Sequence, residues 1–374
     1  MRAMGRRAAC ILLALMLLVA CGPQWEAEVV GPDGVTITMT ADALTDLGAE
    51  GEAVALDRVL WSAGYSLVES VRVTLGDGAV HTYDWDADTA EAHWEMGGRL
   101  AIGGDSLTPV RVEAAALPSL ASVQAGIGDL APTAALALGL RRPSSSQGQA
   151  LTQVSASHVL LLFLDGFGYV RYQEALAAGD IPHLASLGEP LLALTVYPPG
   201  TRVATAALLT GASPEETGVT DANVRDTDVE TLFDVATEAD LSVVSVEGQS
   251  LAFNLRSTEV VLSGDRDGDG STDDNVLANA LGVVEGGMPH LLLVHFHGID
   301  DAGHTYGPGT PEEIETIRYV DQAVGRLLAA LPEATMVIVF ADHGMHAVQQ
   351  EGRLGDHGHL IERDMLIPIW IVEP

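Results

Sequence analysis

From His158 onward, continuous apolar runs of strand length alternate with helix-patterned segments, and this alternation restricts the fold more than any other feature of the chain. The runs are HVLLLFLDG, LLALTVYPPG, LSVVSVEG, PHLLLVHFHG, TMVIVFADHG and finally IPIWIV. A strand with one wet face alternates apolar and polar residues; these runs do not alternate, so both of their faces must be covered. Covering them with the intervening helices gives an α/β domain with a doubly wound, mostly parallel sheet. TPEEIETIRYVDQAVGRLLAAL is one such helix. Thr310 and Glu313 stand in a capping-box pattern, Pro311 at the first helical position, and Ile314, Ile317, Val324 and Leu328 on one face.

The chain divides into four parts. Residues 1–21 combine a positive MRAMGRR, a short apolar ILLALMLLVA and a terminal cysteine, Cys21. This resembles the signal of a bacterial lipoprotein, cut before Cys21 and acylated there. Residues 22–142 carry strand and turn signals, including a hairpin at Gly76-Asp77-Gly78, and are expected to form a small β-rich or α+β domain without clustered catalytic groups. Residues 143–157 are small, polar and patternless, as in a linker. Residues 158–374 hold the α/β pattern.

With Cys10 inside the leader, no second cysteine accompanies Cys21, so any metal must be held by Asp, Glu and His. The formal net charge is −34, and every basic side chain is arginine or histidine. That surface excludes nucleic acid as a polymeric partner, because phosphate backbones need a basic stripe. It leaves room for a small phosphorylated substrate, whose charge a pair of bound dications can balance locally.

Three of the apolar runs end in a carboxylate. Asp165 closes LLLFLD, Asp300 follows LLLVHFHGI, and Asp342 with His343 follows VIVFA; His304 comes four residues after Asp300. In open α/β sheets ligands bind outside the carboxyl ends of the strands, where such residues converge. GDHGH at 355–359 adds His357 and His359. The set suits two divalent ions, zinc first among them, which can hold both the attacking and leaving oxygens of a phosphoryl displacement. Thr201 follows YPPG and opens a helical run; it reads either as a nucleophile at the positive end of a helix dipole or as an N-cap.

Taken together these residues resemble the alkaline-phosphatase superfamily, and within it the type I phosphodiesterase/nucleotide pyrophosphatase family. The matching features, in order, are Asp165-Gly166, Thr201 ahead of TGASPEETG, Asp300-x-x-x-His304 with Gly307-Pro308, Asp342-His343-Gly344-Met345, and Gly355-Asp356-His357-Gly358. The resemblance implies one metal on Asp300, His304 and His357, and a second on Asp165, Asp342 and His343 with Thr201 as its nucleophilic ligand. It implies hydrolysis of a phosphodiester or nucleotide pyrophosphate through a phospho-threonine, with phosphomonoester or phosphonate hydrolysis as the alternative at the same centre. A binding lipoprotein without catalysis is the reading from another class; the intact ligand set argues against it. The glycines around Asp300 and His304 are expected to let the backbone bend toward the metal.

Departures are equally plain. The family's Pro-Asn-His after the nucleophile is Val203-Ala204-Thr205 here, and the sulfatase nucleophile motif is missing from TRVAT. Asp301 is expected to be a bystander, and His295, His297 and His346 to line the core or pocket. His359 competes with His357, which alone has flanking glycines. Separately, GDRDGDGSTDD places Asp265, Asp267, Asp269 and Asp273 as in an EF-hand-type calcium loop through its ninth position, but Val276 stands where the bidentate glutamate belongs. The expected setting is the bacterial cell envelope: an exported chain held to a membrane by lipid on Cys21.

Overall fold

The computed structural model describes residues 25–48, 52–268 and 270–374, so Cys21, the leader and Asp269 lie outside the described residues. The chain forms two compact units, one running through Ala116 and the other spanning Leu117–Pro374.

The first unit is sheet-rich, as expected. Its five-stranded sheet runs in the order Thr36–Met39, Ala27–Val30, Pro109–Ala116, Val68–Leu75, Val80–Asp84, and a four-stranded sheet joins Ala53–Ala55, His93–Glu95, Leu100–Ile102 and Asp105–Leu107. The hairpin turns between Leu75 and Val80, at the glycines that signalled it. Leu60, Leu67, Val71, Trp94 and Val112 are fully buried in its core. Among its described residues no group of three metal-capable side chains comes together.

The second unit is built on an eight-stranded sheet. Its order is Ala125–Gly126, Leu191–Leu194, Leu366–Val372, Thr335–Phe340, His158–Leu164, Leu291–Phe296, Val243–Glu247, Glu259–Leu262. The pairings are parallel except where Leu366–Val372 meets its two neighbours, so one reversed strand lies in an otherwise parallel sheet. Every residue of Leu291–Phe296 and Thr335–Phe340 is buried, as their unbroken apolar sequences require.

Two expectations are corrected at the level of elements. The segment 117–142, assigned to the first domain, belongs to the second unit. Ala125–Gly126 pairs with Leu191–Leu194, and the helix Leu130–Ala137 is buried along nearly its whole length. The stretch 143–157 has no regular structure, yet it is tied to that unit: Gln147 N–H donates to the Gly211 carbonyl, Leu151 N–H to Thr133 Oγ1, and Ala156 N–H to the Ala137 carbonyl. The long helix Pro311–Ala330 forms as expected, with Thr310 Oγ1 accepting from Glu313 N–H. The other half of the capping box is not made, because the Glu313 carboxylate accepts instead from Gly309 N–H and from the Arg171 guanidinium.

Candidate metal centre

The three acids named from sequence do sit at carboxyl ends of central strands. Asp165 follows His158–Leu164, Asp342 follows Thr335–Phe340, and Asp300 lies just beyond Leu291–Phe296. GIDDAGHTY is not a bent loop but a helix, Gly298–Tyr306, with Asp300 in its first turn and His304 in its last. One turn of helix puts the i and i+4 side chains on one face, and His304 Nε2 lies 3.2 Å from Asp300 Oδ2. The glycines serve close approach rather than bending. A Cβ on Gly303 would fall 2.4 Å from Met345 Sδ, and one on Gly166, whose φ is +72°, would lie 3.0 Å from Asp300 Cβ.

Two groups of donors result, Asp300–His304–His357 and Asp165–Asp342–His343, each with ligand atoms within 4.8 Å of one another. Each of the three histidines has its Nδ1 on a main-chain carbonyl: His304 on Gly355 at 2.8 Å, His343 on Gly344 at 2.9 Å and His357 on Pro199 at 3.0 Å. With Nδ1 engaged by a carbonyl, Nε2 faces the carboxylates and is the nitrogen that would offer its lone pair to a cation, the usual way a protein orients an imidazole toward a metal. In the first group Arg353 Nη2 also approaches His304 Nε2, at 3.2 Å. Asp300 Oδ1 and Asp342 Oδ2 are buried without a hydrogen bond. Buried polar atoms are rarely left so, and an unpaired carboxylate oxygen is costly unless a cation meets it.

Thr201 is the first residue of the helix Thr201–Thr210; Gly200 occupies the cap position, and no side chain caps the helix. The N-cap alternative is therefore removed. Thr201 Oγ1 instead lies 3.4 Å from both Asp165 Oδ1 and His343 Nε2. The electrostatics match a centre short of positive charge. Burial and the Asp165 carboxylate push Asp342 up to about 7. Burial opposes protonation of His343, but Asp342, Asp300 and Asp165 override it and raise the imidazole to about 9. Burial and neighbouring His343 lower His357 to about 4, which keeps its lone pair free.

The remaining residues sort clearly. His346 faces the Asp364 carboxylate at 2.9 Å, and His359 N–H donates to the same carboxylate, so His359 is not in the cluster that holds His357. Asp301 is exposed on the helix Gly298–Tyr306 and belongs to neither donor group. Of the calcium-loop acids, Asp273 has a buried carboxylate that accepts from the N–H groups of His297 and Gly298, capping the helix that carries Asp300. Asp265 accepts from Gly268 and Gly270 N–H, folding the loop on itself. Sequence reading missed Glu247, which is buried and contacts His295. Its signal was present, since LSVVSVEG also ends a strand with a carboxylate.

A pocket of about 380 Å³ opens over the centre, lined by Pro198, Thr201, Arg202, Asp221, Asp300 and His357 among others. A family model described as type I phosphodiesterase/nucleotide pyrophosphatase matches residues 159–256 and 254–367. The catalytic subunit of GPI ethanolamine phosphate transferase 3 from Mus musculus is 30% identical over 123 residues, 33% of this chain and 10% of that protein. Venom phosphodiesterase 2 from Crotalus adamanteus is 24% identical over 251 residues, 55% of this chain and 29% of that protein. A crystal structure of phosphonoacetate hydrolase from Sinorhizobium meliloti aligns with a TM-score of 0.42 at 18% identity, covering 56% of this chain and 59% of that one. The chain thus spans less than a third of the length of these two curated relatives.

Proposed function

The chain belongs to the type I phosphodiesterase/nucleotide pyrophosphatase family, and on that premise we propose that it is a metal-dependent hydrolase of small phosphodiesters or nucleotide pyrophosphates, with Thr201 as nucleophile. The observation that carries the reading is the matched pair of features at the two donor groups: three imidazoles oriented through Nδ1, and two buried carboxylate oxygens that lack a hydrogen bond and face only those imidazoles. Asp300, His304 and His357 would hold one cation, and Asp165, Asp342 and His343 the other. Two divalent ions, zinc first among them, would supply the positive charge that stabilises the attacking and leaving oxygens.

The chain's own residues do the rest. Thr201 presents its hydroxyl at the positive end of a ten-residue helix, beside Asp165 and His343. Its oxygen forms the new bond to phosphorus as the bond to the leaving alcohol or phosphate breaks, and the leaving oxygen takes up a proton. Water then cleaves the phospho-threonine, returning the hydroxyl and releasing the phosphate ester. Arg202, on the next residue, lines the same pocket and is steadied by the Ala252 carbonyl at 3.0 Å, a suitable contact for an anionic substrate.

The experiment is covalent trapping. Acid quenching during turnover should leave phosphate on the peptide containing Thr201. Thr201→Ser should retain measurable activity and Thr201→Ala should lose nearly all of it while staying folded. Full turnover by Thr201→Ala, or phosphate trapped on Thr205, sinks the assignment.

A further inference from the structure

The two oxygens of Asp165 face different surroundings. Oδ1 points to the centre, 3.4 Å from Thr201 Oγ1 and 3.4 Å from His343 Nε2. Oδ2 points away, 3.0 Å from His295 Nε2. The other ring nitrogen, Nδ1, lies 3.0 Å from Glu247 Oε2, and Glu247 Oε1 accepts the Ser245 hydroxyl at 2.8 Å. All three groups are buried. They come from the carboxyl ends of three adjacent parallel strands, His158–Leu164, Leu291–Phe296 and Val243–Glu247, so the line Glu247–His295–Asp165 crosses the sheet edge like a rung. The His295 ring is clamped flat on Phe163, with centroids 3.7 Å apart and planes at 6°.

We propose that Glu247, acting through His295, is a positioning residue that fixes the Asp165 carboxylate so that only Oδ1 is offered to the centre. The role rests on the two-cation reading above. A carboxylate held at one oxygen loses the freedom to rotate, to chelate with both oxygens or to swing away, and this is how outer partners tune a metal ligand. His297 lies alongside, its Nδ1 3.4 Å from the same Asp165 oxygen and its ring 3.7 Å from that of His295. Asp165, His295 and His297 could therefore form a third donor group, a rival arrangement the test must separate.

The full-length protein, freed of metal, is titrated with zinc against a chromogenic chelator, as wild type, Glu247→Gln and Ser245→Ala. Wild type should bind two equivalents. Glu247→Gln should also bind two, one of them about 10- to 100-fold more weakly and the other unchanged; Ser245→Ala should shift the same equivalent by less. Wild type that takes up no zinc removes the two-cation reading and the positioning role together. Two equivalents of unchanged affinity in Glu247→Gln overturn the positioning role alone. So does a third wild-type equivalent lost in Glu247→Gln, which would make the cluster with His297 a cation site. Equal weakening of both equivalents with a lowered melting temperature would make Glu247 merely structural. Should Glu247→Gln fail to fold, Ser245→Ala is judged by the same outcomes.

Discussion

Asp300 and Asp342 each keep one buried carboxylate oxygen without a hydrogen bond, and the two lie in different donor groups. Their surroundings make this expensive in the absence of a cation. Asp342 is raised by burial and by Asp165, and the His343 imidazole is pushed up to about 9 by three carboxylates despite its burial. Removing one acid should therefore empty one group and spare the other. Asp300→Ala and Asp342→Ala are each expected to retain a single equivalent of zinc by elemental analysis and to show no turnover. Two full equivalents in both variants would show that neither aspartate is a ligand. The acids and histidines of this centre were legible because each stands directly after an apolar run or within a short glycine-flanked motif. Glu247 was overlooked because a lone strand-end glutamate, with no histidine near it in sequence, looks like any polar strand terminus. Only the neighbouring strand's register brings His295 to it.

The elements that were readable are those whose own pattern suffices: unbroken apolar strands and the long amphipathic helix Pro311–Ala330. Two helices were not. Gly298–Tyr306 contains two glycines within it and has poor intrinsic propensity. It forms because Asp273, 24 residues upstream of His297, satisfies its first N–H groups, and Gly303 lets it pack on Met345. Leu130–Ala137 is buried nearly all round and so shows no amphipathic period, while Pro132 sits in its first turn. The correction has a measurable consequence. Ile127 and Leu130 are almost wholly buried, each contributing roughly 1.5–3 kcal/mol, against a typical domain stability of about 5–15 kcal/mol. A chain starting at Leu117 should melt cooperatively and bind metal. One starting at Pro143, which lacks the strand Ala125–Gly126 and this helix, should be strongly destabilised or aggregate. Equal melting temperatures for the two would return 117–142 to the first domain.

At the scale of the whole molecule, the charge of −34 with no lysine bears on how the protein would meet a membrane. A surface so acidic is repelled by anionic headgroups, and a polybasic patch cannot supply attachment. Among the described residues no helix is long and apolar enough to cross a bilayer. We propose that attachment comes from acyl chains on Cys21, which lies outside the described residues. One chain holds weakly and reversibly, so stable anchoring requires several. The mode of attachment predicts its response to salt. Because no electrostatic attraction contributes, washing membranes at high ionic strength should leave the wild-type protein bound, whereas detergent should release it. Cys21→Ser should appear in the soluble fraction with its zinc content and turnover unchanged, since the donor groups all lie in the unit Leu117–Pro374, far along the chain from that residue. Release of wild type by salt alone, or mass spectrometry showing an unmodified Cys21 in the membrane fraction, would mean that something other than lipid holds the chain there.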